Sequence, residues 1–231
     1  MQVLGVITAR GGSKGIPRKN LAPLLGKPLL YYTIKAAQRS KRLTRTILTS
    51  DDEEIIAVGK QLGVDVPFVR PPHLAGDDAS SLEVVLHATQ FMEAEENKTY
   101  DAVFLLQPTA PLRGAQDIDA ALELLDSSEA DAVVSVAKVD DPHPVKMVVL
   151  RGGFVHPFLP GRWREDLRRQ ELEPVYCLNG AVYCMWREVL FEQKSLWGKK
   201  TVAYVMPAER SVNIDSRLDL MLAEKILRGR T

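Results

Sequence analysis

Net charge is the first thing the chain lacks: thirty Lys and Arg offset thirty Asp and Glu over 231 residues. A general nucleic-acid or anionic-membrane binder carries a basic excess, so that class is excluded and any basic site must be local. Cysteine is nearly absent, with only Cys177 and Cys184. They form no C-x-x-C pair, and no Cys/His set has zinc spacing. The reading is two free thiols in a reducing compartment. No apolar run approaches the ~20 residues that span a bilayer. The chain opens directly on an apolar, β-rich segment, without the tripartite pattern of a secretory leader, and a soluble cytoplasmic protein is expected. Internal repeats and low-complexity tracts are also missing.

What is there is an alternation of strand and helix patterns. Strands are expected at Val3–Thr8, Arg45–Ser50, Val64–Val69, Asp101–Leu106 and Ala132–Val136, and helices at Leu29–Gln38, Asp51–Leu62, Ser80–Glu95 and Ala115–Leu125. Pro28 suits a first-turn position, and Ser80 or Ser81 a helix cap. This βαβα rhythm predicts a parallel sheet with helices on both faces and ligands at the carboxyl ends of the strands. Residues 138 to 178, rich in Pro, Gly and charge, break the rhythm as an excursion. They contain a hairpin, Met147–Leu150 into Phe154–His156, turning at Gly152-Gly153. The pattern resumes with "NGAVYCMW" and "TVAYVM", and Ser216–Leu227 closes the chain as an amphipathic helix.

One loop concentrates chemistry. "TARGGSKGIPRKN", residues 8 to 20, holds three glycines and four cations directly after the first strand. It lacks the G-x-G-x-x-G spacing of a dinucleotide fingerprint and the G-x-x-x-x-G-K-[ST] of a P-loop. Pro17 opposes a helix through it. What remains is a cationic turn in which the N–H groups of Gly11, Gly12 and Ser13 form an anion nest, bracketed by Arg10 and Lys19. A nucleoside triphosphate suits such a loop. The other reading is a solvated basic turn.

"ARGGSKGIPRKN" with "GKPLLYYTIKAA", "TSDDEEI", "VRPPHLAGDDASS", "LLQPTAPLR", "NGAVY" and "NIDSRLDL" resembles, in order from about residue 3 to about residue 227, the acylneuraminate cytidylyltransferases. The resemblance implies an α/β/α three-layer sandwich of nucleotide-sugar-transferase type, one domain over 1–231. It implies a homodimer in which a protruding segment, here 138–178, reaches the other subunit's site. It also implies a reaction: the anomeric hydroxyl of a nine-carbon 2-keto sugar acid attacks the α-phosphate of CTP, Mg2+ assists, and pyrophosphate leaves.

By position in the motifs, the resemblance assigns Arg10, Gly11, Gly12, Ser13, Lys19 and Asn20 to triphosphate and ribose, and Arg70 and Ser81 to the pyrimidine. Gln107 falls to nucleotide and sugar, Lys146, Arg169 and Tyr183 to the sugar acid, and Asp215 with Asn213 to the metal. Arg10, Lys19 and Asp215 are the catalytic set. Bland roles stand beside these: a helix cap for Ser81 or Asp215, core packing for Tyr183, solvated charges for Lys14 and Arg18. Arg113 is open between an anion contact and a structural bond to loop carbonyls, and His143 in "DPHP" reads as a structural loop residue. Two positions depart from the best-known members: Asn213 stands where they have aspartate, and Cys177 where sialic acid enzymes often have arginine. A relative such as legionaminic acid, 3-deoxy-manno-octulosonic acid, or a non-catalytic nucleotide-binding role on the same scaffold are the alternatives.

Overall fold

The computed structural model describes residues 1–162 and 168–229. Its frame is a six-stranded sheet in the order β10-β6-β9-β5-β1-β4. The strands are β1 (Val3–Thr8), β4 (Arg45–Thr49), β5 (Ala102–Leu106), β6 (Ala132–Lys138), β9 (Tyr176–Trp186) and β10 (Thr201–Met206). β1 runs parallel to β4 and β5, and β10 parallel to β6. β9 lies antiparallel between β5 and β6. Two short pairs stand outside this sheet: β2 (Pro23–Leu24) with β3 (Lys27–Pro28), and the hairpin of β7 (Val148–Arg151) and β8 (Phe154–Pro157).

Period-2 alternation builds two cores. Val3, Ile7, Phe104 and Leu106 turn to one face, where α1 (Leu29–Arg39), α2 (Glu53–Gln61) and α4 (Ala115–Ser127) supply Leu30, Ile34, Ile55, Ile118 and Leu122. Leu4, Val6, Val103 and Leu105 turn to the other, meeting Val85, Ala88 and Met92 of α3 (Ser81–Glu96) and Val189 and Leu190 of α5 (Arg187–Phe191). The result is the expected three-layer sandwich. A third cluster seats α6 (Arg217–Arg228) against the β2–β3 turn through Leu24, Leu29, Ala223 and Leu220.

Four readings change in detail. Val64–Val69 is not a strand: it makes only isolated bridges, Asp65 to Ile47 and Val69 to Ser50, because Pro67 between them has no N–H to continue a ladder. Pro28 precedes α1 in extended conformation rather than entering its first turn. The cap of α3 is Ser80, whose hydroxyl accepts from the Glu83 amide in a capping box, which frees Ser81. The excursion is shorter than 138–178, since Lys138 pairs with Tyr176, Ala137 with Cys177 and Val136 with Leu178 in the main sheet. Its hairpin turns at Gly152 and Gly153, both at positive φ (58° and 87°). No described helix is long and apolar enough to cross a membrane.

Candidate active site

At the carboxyl ends of β1 and β5 a cleft opens. The glycine loop lines it with Arg10, Gly12, Ser13, Lys19 and Asn20. Arg70, Leu74 and Asp77 enter from the segment before α3, Ser81 and Val84 from α3 itself, and Gln107 and Thr109 from the turn after β5. Most of the residues assigned to nucleotide from the sequence therefore share one cavity.

The loop is held by its own polar groups. The Asn20 side-chain amide donates to the Arg10 carbonyl at 2.8 Å, which closes the turn on itself. The Gly11 amide donates to Asp51 Oδ1 at 3.1 Å, so it is not part of an anion nest. Among the described residues the amides of Gly12 and Ser13 make no hydrogen bond and remain for a ligand. Arg18 leaves the cleft for Asp52 (2.8 Å) and Glu54 (2.8 Å), where it clamps the loop to the start of α2. Arg10 donates to the Gly76 carbonyl at 2.8 Å and pairs with Asp77 at 2.9 Å, and Lys14 pairs with Asp77 at 3.0 Å.

Arg70 is buried and donates to the Thr49 hydroxyl (3.2 Å) and carbonyl (2.6 Å). Burial lowers its guanidinium to about 10, so it stays cationic at neutral pH. Arg113 takes the structural role. Only 3% exposed, it bonds the Ala181 carbonyl (2.8 Å), the Thr33 hydroxyl (2.8 Å) and the Gln107 carbonyl (3.3 Å). It ties α1, β9 and the turn after β5 together under the cleft, and burial lowers it to about 10.

Lys19 joins the loop to the far end of the chain. Its Nζ donates to the Ile214 carbonyl at 2.9 Å and to Asp215 Oδ1 at 3.0 Å. Asp215 does not cap α6; Ser216 does, with Asp219 completing its capping box. The Asn213 amide donates to Asp215 Oδ2 at 2.7 Å, and Asn213 Oδ1 is buried without a partner. A Cβ placed on Gly180 would lie 3.2 Å from Gln107 Oε1 and 3.3 Å from this Asn213 oxygen, so two acceptors converge over Gly180. A Cβ on Gly15 would lie 2.3 Å from the Asp215 carbonyl: the loop passes in backbone contact with the "NID" segment.

Among the described residues, Lys146 and Tyr183 do not line this cleft, whereas Gln107 does. Lys146 is exposed and lines a second cavity with Lys138, Asp141 and Glu173. Tyr183 is half-buried on β9 against the second core, and burial raises its hydroxyl. The Arg169 side chain lies outside the described residues. His143 is structural, accepting at Nδ1 from the Val145 amide (3.2 Å) with Nε2 at 3.1 Å from the Glu173 carbonyl.

Sequence reasoning did not find Asp51, Asp77 or Gly15 in these contacts, nor the hydrogen-bonded set Ser135–Asn179–Ser211. In that set the Ser135 hydroxyl donates to Asn179, whose amide reaches Ser211 at 2.9 Å. It sits where the β6–β9 register shifts, one residue before Gly180. The "NG" of "LNGAVY" was the available signal for the set.

Residues 4–149 match the protein-family model for cytidylyltransferases. The chain belongs to the cytidylyltransferase family. It is therefore a nucleotidyl-transferring enzyme. An N-acylneuraminate cytidylyltransferase of Escherichia coli O18:K1:H7 is 34% identical over 96% of this chain, which spans 51% of that longer relative. A pseudaminic acid cytidylyltransferase of Campylobacter jejuni is 33% identical, covering 97% of this chain and 95% of the relative. A CMP-N,N'-diacetyllegionaminic acid synthase of Legionella pneumophila is 33% identical, at 98% and 97%. Among solved structures, a CMP:2-keto-3-deoxy-manno-octonic acid synthetase complexed with CTP matches with a TM-score of 0.75 at 17% identity, covering 100% of both chains. That likeness is one of fold.

Proposed function

We propose that this cytidylyltransferase transfers CMP from CTP to the anomeric hydroxyl of a nine-carbon 2-keto sugar acid of the sialic acid type. The observation that carries the reading is the meeting of the cationic glycine loop with the "NID" segment, through Lys19 and Asp215, beside a cleft that also holds Arg70 and Ser81. In the reaction the sugar oxygen bonds to the α-phosphorus, the bond to the pyrophosphate oxygen breaks, and the hydroxyl proton leaves to solvent.

Each side chain then has a task. Arg10 and Lys19 neutralise charge that grows on the leaving pyrophosphate, and the free amides of Gly12 and Ser13 hold phosphate oxygens. Asn20 fixes the loop and faces the ribose. Arg70 and Ser81 hydrogen-bond the edge of cytosine and reject a base that leaves them unpaired. Gln107 bridges nucleotide and sugar. Tyr183, Lys146 and Arg169 serve the sugar acid, the two cations through its carboxylate.

Asp215 and Asn213 fit a divalent cation, and Mg2+ in particular. They offer one carboxylate and one buried amide oxygen that has no other partner. No described group of three or more His, Cys, Asp or Glu could hold a metal by itself, so Asp215 and Asn213 would hold it together with the bound nucleotide. When bound, Mg2+ supplies charge neutralisation on the phosphates.

That Lys146 lines a second cavity and not the cleft supports a homodimer in which the excursion between Lys138 and Tyr176 of one subunit completes the other's sugar site. The hairpin suits that role: Leu150 and Phe154 are 72% and 74% exposed. The two free thiols agree with a cytoplasmic setting. Cys177, exposed where the resemblance leads one to expect arginine, favours an acid other than N-acetylneuraminic acid, such as legionaminic acid. Mass spectrometry of the product formed from CTP and N-acetylneuraminic, legionaminic, pseudaminic or 3-deoxy-manno-octulosonic acid tests the reading. A CMP-adduct of a nine-carbon acid is expected; an adduct of the eight-carbon acid alone would move the assignment.

A further inference from the structure

Two cations of the glycine loop are already paired, Arg10 lining the cleft and Lys14 beside it. One carboxylate, Asp77, takes Arg10 Nη2 on Oδ1 (2.9 Å) and Lys14 Nζ on Oδ2 (3.0 Å). Arg10 Nη1 is bound by the neighbouring Gly76 carbonyl at 2.8 Å. Among the described residues these two cations are the only partners of the Asp77 carboxylate, which is 48% exposed and lines the cleft. The carboxyl is held below its ordinary value, first by the Lys14 hydrogen bond, so it is ionised at neutral pH. Asp77 thus puts a tethered anion where the loop offers its charge to phosphate.

We infer that Asp77 is a specificity-determining residue of the nucleotide site, a resident competitor that occupies Arg10 and Lys14 until a polyphosphate displaces it. The inference rests on reading the glycine loop as the triphosphate site. A ligand that needs both cations binds only the unpaired fraction of the protein, so its apparent affinity falls by that fraction. Exposed ion pairs are individually weak, so the several charges of a triphosphate overcome the pair. CMP keeps only the α-phosphate, does not reach these cations and escapes the penalty. When pyrophosphate departs, Asp77 re-forms both pairs, which opposes rebinding of the product. The pair therefore lowers affinity for CTP and pyrophosphate while leaving CMP untouched.

Calorimetric titration of the full chain with CTP, pyrophosphate and CMP, each with Mg2+, tests this in wild type, Asp77→Asn, Asp78→Asn and Arg10→Ala. Asp78→Asn removes the same charge one residue away, where no described bond reaches either cation. Asp77→Asn is expected to bind CTP and pyrophosphate about three- to tenfold more tightly, with CMP unchanged and Asp78→Asn within about twofold of wild type. Unchanged or weaker CTP binding in Asp77→Asn, with binding lost in Arg10→Ala, overturns the inference and leaves the site reading standing. Equal tightening of all three ligands, or the same tightening in Asp78→Asn, overturns it as a general charge effect. Full CTP binding in Arg10→Ala brings down the site reading itself.

Discussion

At Gly15 a missing methyl group decides whether two distant segments can meet. The Asp215 carbonyl would stand 2.3 Å from any Cβ there, and backbone cannot swing aside as a side chain can. Gly15→Ala must therefore part the loop from "NID" and with it Lys19 from Asp215. A displacement of that order in a phosphoryl-transfer site costs about 100-fold in kcat/KM. Steady-state kinetics on the variant checks this, alongside a melting temperature expected to fall by about 2–4 °C as the cluster that buries Ile16 and Ile214 is disturbed. That Arg10, Lys19, Ser81 and Gln107 come together at one cleft was legible in the sequence, because each stands inside an ordered motif. The Asp77 pairs and the Gly15 contact were not, because a motif names residues and not their partners. Arg113 needed its burial to be seen before its anion-binding reading gave way to a structural one.

Among the elements, α6 carries the argument for Asp215. Ser216 caps the helix and Asp219 accepts from the Ser216 amide (2.7 Å), the Ser216 hydroxyl (2.8 Å) and the Asp215 amide (3.1 Å). Burial pushes the Asp219 carboxyl up, but these hydrogen bonds from Ser216 and Asp215 outweigh it and hold the group below its ordinary value. Its contribution to stability is thus complete above the unfolded value of about 3.9 and is lost as pH falls through the lower folded value. Asp219→Ala is expected to lower the melting temperature by about 2–4 °C at pH 7, and the gap between the two proteins should narrow as the pH falls through the lowered carboxyl value. Thermal unfolding followed by circular dichroism across this pH range measures it. The long periodic helices and buried strands were legible from pattern alone. Val64–Val69 was misread because its apolar residues outvoted Pro67, and the cap of α3 needed coordinates to separate Ser80 from Ser81.

For the whole molecule, the alternation of strand and helix gave the three layers, yet no local pattern told that β9 runs against its neighbours. That direction follows from the excursion, which leaves the sheet after Lys138 and re-enters at Tyr176 opposite the same residue. The proposed second subunit is supported by two features among the described residues: the β7–β8 hairpin pairs with no third strand, and Lys146 does not line the cleft. Phe154→Asp puts a charge on the exposed hairpin face. Sedimentation velocity is expected to show a dimer for wild type and a monomer for the variant. The variant should keep CTP binding while turnover with the sugar acid falls at least tenfold. A monomeric wild type with full activity would remove the dimer from the account.

The central claim, that the glycine loop and "NID" form a cytidylyl-transfer centre, is tested most directly by pyrophosphate release. Wild type and Asp215→Ala would be compared with Mg2+, using CTP, UTP, ATP or GTP against a panel of 2-keto sugar acids. The account predicts release only with CTP and a nine-carbon acid, abolished by chelation and reduced at least 100-fold in Asp215→Ala. Release by Asp215→Ala at the wild-type rate, or none from any pair while CTP still binds, would contradict it.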